Sequence, residues 1–79
     1  MNLQDGWDLH EEHLRRRFTF KDFREAMRFV NKIAELAEKA GHHPDMEIKY
    51  NHVEVRLTTH DARGLTEKDF DLAKEIDGL

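Results

Sequence analysis

Six histidines stand in a chain of 79 residues, and three of them fall where ordinary structural roles explain them least. His42 and His43 are adjacent, preceded by Gly41 and followed by Pro44, and His60 closes Thr58-Thr59-His60. Imidazole, with an unperturbed pKa of roughly 6.5, both accepts and donates a proton near neutrality. Two or three imidazoles converging on one cleft therefore supply an acid–base pair without any cofactor. Spacing alone leaves plainer readings open. A histidine just past a helix C-terminus interacts favourably with the helix dipole, and one at a strand end is commonly a surface residue. Glu38, four residues before His42, reads by itself as a solvated helix-face carboxylate. His10, His13 and His52 fall at a strand end or in turns and read as surface residues. A three-histidine zinc site from His42, His43 and His60 is disfavoured, because consecutive imidazoles diverge unless the backbone bends to bring them together. No metal is expected.

The elements that must position these residues are marked by a segmental echo. Phe18-Thr19-Phe20-Lys21-Asp22-Phe23 returns as Leu65-Thr66-Glu67-Lys68-Asp69-Phe70. Both copies predict a helix start with Thr19 or Thr66 as N-cap, Asp22 or Asp69 as the carboxylate of a capping box, and Phe23 or Phe70 stapled to the apolar residue before the cap. After the first copy, Phe23, Met27, Val30, Ile33 or Ala34, and Ala37 recur at three- and four-residue intervals, which predicts an amphipathic helix from about residue 20 to Ala40. Gly41 is placed to end it in a left-handed conformation. After the second copy, Phe70, Ala73 and Ile76 predict a shorter helix over roughly 67–77.

Two strand-like runs precede each helix. Trp7-Asp8-Leu9 and Leu14-Arg15-Arg16-Arg17-Phe18 flank Glu11-Glu12-His13, while Met46–Tyr50 and Val53–Leu57 flank a two-residue turn at Asn51-His52. The order is ββαββα, an α+β fold with one four-stranded antiparallel sheet and both helices packed on one face. Leu9, Phe18, Ile48, Val53, Val55 and Leu57 are the expected sheet contribution to the core.

Composition bounds the rest. The length allows one domain, residues 1–79, with a small core, so further burial by association is expected. Thirteen Lys+Arg against seventeen Asp+Glu give a net charge of -4, which lacks the basic field that sequence-independent phosphate binding needs. In the one basic run, Arg15-Arg16-Arg17, alternation sends Arg15 and Arg17 to one face and Arg16 to the other. No nucleic-acid or membrane partner is expected. The absence of cysteine removes disulfides and thiol nucleophiles, and the first residues show neither a basic start nor an apolar stretch. A soluble, cytoplasmic setting is the simplest expectation.

Taken together, Glu38-x-x-x-His42-His43-Pro44, Tyr50 six residues after the proline, His60 ten after that, and Asp69 nine further on form an ordered constellation. With Gly6-Trp7 and Phe20-Lys21-Asp22-Phe23, it resembles the pterin-4a-carbinolamine dehydratase family from Gly6 to about Ile76. The resemblance implies a four-stranded antiparallel sheet with helices on one face. It also implies a 4a-hydroxytetrahydrobiopterin dehydratase, a hydro-lyase acting on a pterin substrate and needing no cofactor. Carried over by position, His42 and His60 would be the acid–base pair, with His43 binding the pterin and sharing in proton transfer. Glu38, Pro44, Thr59 and Asp69 would line or bind within the site, Asp69 being also the capping carboxylate. A homodimer or homotetramer is expected. The chain departs from the family pattern at Met46, where an aromatic is common, and at Gly41, where some members carry an acidic residue; both changes bear on the pocket. Longer members carry an N-terminal helical segment, for which there is little sequence before Trp7. The rival reading is a non-catalytic dimerisation or transcriptional-coactivator-like module that kept the fold.

Overall fold

The computed structural model describes residues 6–59, 62 and 64–79. Four strands and two helices follow in the order β1 (Asp8–His10), β2 (His13–Thr19), α1 (Phe23–Ala40), β3 (Asp45–Lys49), β4 (His52–Leu57) and α2 (Glu67–Asp77). All strand pairings are antiparallel, with spatial order β1-β2-β4-β3. This is the ββαββα arrangement expected from the periodicities.

Register decides which side chains meet the helices, since directly opposed residues share a face. Leu14 lies opposite Leu57, Arg16 opposite Val55, and Phe18 opposite Val53. On that face Leu14, Val53, Val55 and Leu57 are buried together with Trp7, Ala26 and Ile33, and with Leu72, Ala73 and Ile76 of α2. The opposite face carries Arg15, Arg17, Glu47, Lys49, Glu54 and Arg56, laced by ion pairs such as Arg17 to Glu54 at 3.3 Å and Lys49 to Glu47 at 3.2 Å. The Arg56 guanidinium, hydrogen-bonded to Glu54, holds that carboxyl below its ordinary range against the opposing effect of burial. Arg16 goes to the covered face, as alternation requires, where it lies 4.6 Å above the Phe18 ring and meets Asp77 of α2 at 2.8 Å.

Two residues expected in the core are not buried. Leu9 is 62% and Ile48 38% exposed, although they lie opposite Leu14 and Val53 on the covered face. They belong to the two edge strands, and the helices do not extend that far. The apolar stripe of α1 is also turned from the expected one. Ala26, Ile33 and Ala37 are buried, with Phe29, Val30 and Leu36 packed against the core, and Phe23 is half exposed.

The first helix starts later than the echo suggests. Thr19 is the last residue of β2, opposite His52 and with its hydroxyl 3.2 Å from His52 Nδ1. Phe20 N–H donates to Asn51 O, and Asn51 Nδ2 donates to Phe20 O. With Phe20 still bonded to Asn51, the residues after Thr19 cannot yet turn into the helix, so Asp22 takes the N-cap and accepts from Glu25 N–H at 2.9 Å. The β3–β4 turn is likewise shifted by one residue. Lys49 pairs with His52, leaving Tyr50 and Asn51 in the turn, and Tyr50 rather than His52 takes a positive φ of 48°.

Candidate active site

The end of α1 sets the direction of the histidine pair. Gly41 adopts φ 64°, ψ 29°, the left-handed conformation that glycine enters without steric cost. His42 N–H then donates back to Ala37 O at 3.1 Å, closing the last turn of the helix. A Cβ added at Gly41 would meet nothing within 4 Å. Here the departure from the family pattern is a helix stop beside open space. Met46, the other departure, lies opposite Val55 on the covered face and packs partly buried against the core.

His42 is delivered to the start of α2. Its Nε2 lies 2.5 Å from Asp69 Oδ1, with the imidazole 10% and the carboxyl 0% exposed. The other oxygen, Asp69 Oδ2, accepts from Thr66 N–H at 2.9 Å and from the Thr59 hydroxyl at 2.8 Å. Thr59 and Thr66 hydroxyls are 2.8 Å apart. A hydroxyl has one hydrogen; with that of Thr59 given to Asp69, Thr66 is the donor to Thr59. Among the described residues, no buried side-chain polar atom lacks a partner.

Thr59 reaches this network because the chain after β4 closes on itself. Thr59 N–H donates to Gly64 O and Gly64 N–H donates to Thr59 O, at 3.1 and 3.3 Å. Thr58, just before, is tied by its hydroxyl to Glu12 O at 2.8 Å. An open depression of about 590 Å³ lies alongside, lined by Thr59, Ala62, Thr66, Glu67 and Lys68. Its size falls within the range of small-molecule sites.

The remaining sequence-derived residues are placed unevenly. His43 is exposed, with Nε2 3.5 Å from Glu38 Oε2, itself 79% exposed. Pro44 is partly buried between His43 and the start of β3. His60 lies outside the described residues. The structure thus gathers His42, Thr59 and Asp69 by hydrogen bonds and sets His43 beside Glu38. Asp69 holds the helix cap and the imidazole at once, one oxygen for each, so capping α2 does not keep it from meeting His42. Thr66 joins the same hydrogen-bond network and is not among the residues that the sequence constellation picks out. Its role as helix cap was legible, and the carboxylate it shares with His42 is what brings it in.

The model of the family described as Pterin 4 alpha carbinolamine dehydratase matches residues 1–79. A relative from Trichormus variabilis, provisionally named a pterin-4-alpha-carbinolamine dehydratase, is 62% identical over 71 residues, covering 90% of this chain and 76% of its own. One of the same provisional name from Sulfurisphaera tokodaii is 48% identical over 79 residues, covering 100% of this chain and 85% of its own. Among solved structures, the transcriptional coactivator/pterin dehydratase from Brucella melitensis superposes with a TM-score of 0.90 at 41% identity, covering 94% of this chain and 81% of that one. A pterin dehydratase-like RuBisCO assembly factor of the alpha-carboxysome shares the fold, with a TM-score of 0.74 at 22% identity over 91% of this chain and 83% of its own. With the family model spanning its length and the buried His42–Asp69 pair standing on the motif's own residues, the chain belongs to the pterin 4 alpha carbinolamine dehydratase family.

Proposed function

We propose that this protein dehydrates 4a-hydroxytetrahydropterin to quinonoid dihydropterin and water by histidine acid–base catalysis, in the service of pterin recycling. In that reaction the C4a–O bond breaks and the hydroxyl leaves as water with a proton from a general acid. A base removes the N5 proton as the C4a=N5 bond forms, so one proton is given and one taken in each turnover. Imidazoles meet both demands at neutral pH.

The single observation that carries this reading is the nearly buried His42 imidazole held on the Asp69 carboxylate, in a chain of this family. The base or acid of such a reaction needs a fixed ring, and a carboxylate behind one nitrogen supplies it. In this reading His42 and His60 are the acid–base pair, and His43 with Glu38 orients the pterin. Pro44 fixes the loop, and the depression beside Thr59 and Thr66 receives part of the ligand. No cofactor or metal enters the reaction. The protein acts as a cytoplasmic homodimer or homotetramer.

The test is the rate of dehydration of carbinolamine generated in situ, followed by absorbance with the uncatalysed background subtracted. Wild type is expected to accelerate it, and His42→Ala and His60→Ala each to lose about a hundredfold or more, the scale of a lost general acid or base. The Brucella relative is named as a transcriptional coactivator as well as a pterin dehydratase. A folded wild-type protein that gives no acceleration would sink the enzymatic reading here and favour the binding module.

A further inference from the structure

We infer that Asp69, set by Thr59 and Thr66, is a positioning residue that holds His42 as the Nε2–H tautomer, leaving Nδ1 as the nitrogen that exchanges a proton with the substrate. The inference rests on the dehydratase reading above and adds to it the reacting atom.

It follows from counting hydrogens around one buried carboxyl. Thr66 N–H is a donor and nothing else, and it points at Asp69 Oδ2. The Thr59 hydroxyl gives its only hydrogen to the same oxygen, and the Thr66 hydroxyl feeds Thr59 from behind. An ionised carboxylate is acceptor-only, so the remaining contact, Oδ1 to His42 Nε2 at 2.5 Å, requires the hydrogen on Nε2. A neutral imidazole carries one hydrogen, and Nδ1 is left with its lone pair. Acting as base, Nδ1 takes the pterin N5 proton and the ring becomes imidazolium, with its charge against Asp69. Acting instead as acid, with the other member of the pair as base, an imidazolium at His42 gives its Nδ1 proton to the departing hydroxyl. In both directions Nε2 keeps its hydrogen, and Asp69 itself takes no proton.

In Asp69→Asn the donors Thr66 N–H and Thr59 hydroxyl still demand an acceptor on their side, so the amide oxygen turns toward them and the amide NH₂ toward His42. Nε2 must then accept, and the ring hydrogen moves to Nδ1. A residue that merely capped α2 would leave the tautomer untouched.

The experiment is ¹⁵N NMR of the histidine rings in the intact free protein, at a pH where His42 is neutral, with His42→Gln used to assign its signals. Wild type is expected to show a protonated Nε2 and an unprotonated Nδ1, and Asp69→Asn to reverse them. In dehydration assays Asp69→Asn is expected to lower kcat by about ten- to a hundredfold with KM little changed, and to add almost nothing to the loss in His42→Ala. Thr59→Val, which removes one donor, is expected to keep the wild-type tautomer and lose less activity. Should Asp69→Asn fail to fold, the wild-type spectrum still decides. An Nδ1–H ring, or an even mixture of tautomers, overturns the inference, as does full additivity of the two substitutions. A wild-type protein that holds the Nε2–H ring yet does not accelerate dehydration overturns the dehydratase reading and the reacting-atom assignment, and leaves only the tautomer.

Discussion

The two copies of the echo, at 18–23 and 65–70, are nearly the same string and start their helices differently. In the first, Thr19 is still paired with His52 in the sheet, the helix begins three residues later, and Asp22 caps it from a partly exposed position. In the second, β4 has ended at Leu57, Thr66 is free to take the N-cap, and Asp69 is drawn fully inside. Local sequence proposes a cap, and the length of the preceding strand decides which residue serves. What the second copy gains is a buried carboxylate with an oxygen to spare for His42.

That contrast is sharpest in stability. Asp69→Ala strips an acceptor from His42 Nε2, the Thr59 hydroxyl and Thr66 N–H in a buried place, and should cost about 3 kcal/mol, since unsatisfied buried donors are expensive. Asp22→Ala should cost about 1 kcal/mol, the ordinary worth of an N-cap, and leave dehydration unchanged. Urea unfolding of the two variants measures the difference, and equal losses would break the comparison. Gly41→Ala comes next. It puts a Cβ on a left-handed residue and should cost about 1 kcal/mol; Gly41→Asn, better tolerated there, should cost less. If Gly41 serves to aim His42 at the second copy, dehydration should follow the same order.

The smallest effect lies on the face of the sheet opposite the core. The folded-state pKa of Glu54 is depressed by Arg56, so its contribution to stability is present above its unfolded pKa. It fades as pH falls through the folded one. Arg56→Ala should therefore lower the urea midpoint slightly at pH 7 and not at all once carboxylates are protonated. A loss that persists in acid would mean that Arg56 acts through packing rather than charge.

Much of this is legible in the sequence. Period-two and period-3.6 patterns place all six elements, and Gly41 and Thr66 mark the end of α1 and the start of α2 where the structure has them. Alternation also separates Arg16 from its neighbours. Two of the misses share one physical cause, which is that local pattern does not carry extent. Leu9 and Ile48 are apolar on the correct face but lie on edge strands beyond helix cover, and Thr19 has cap chemistry but sits within a ladder. Among the site residues, the family constellation points to Asp69 and His42 separately. Their meeting depends on α2 arriving beside the end of α1, a long-range event that spacing does not encode.

Trp7 is the chain's single tryptophan. Its indole Nε1 donates to both oxygens of Asp77 at 3.0 Å, and its ring stands edge-on to Phe18 at 6.2 Å. Arg16 joins the same carboxylate, passing so close to Gly6 that an added Cβ would lie 2.7 Å from the guanidinium carbon. The one strong intrinsic fluorophore is thus fastened to the far end of the helix that begins at the Asp69 network. Its emission gives a label-free optical signal for the packing of the core around the ring and for the contact with the end of α2.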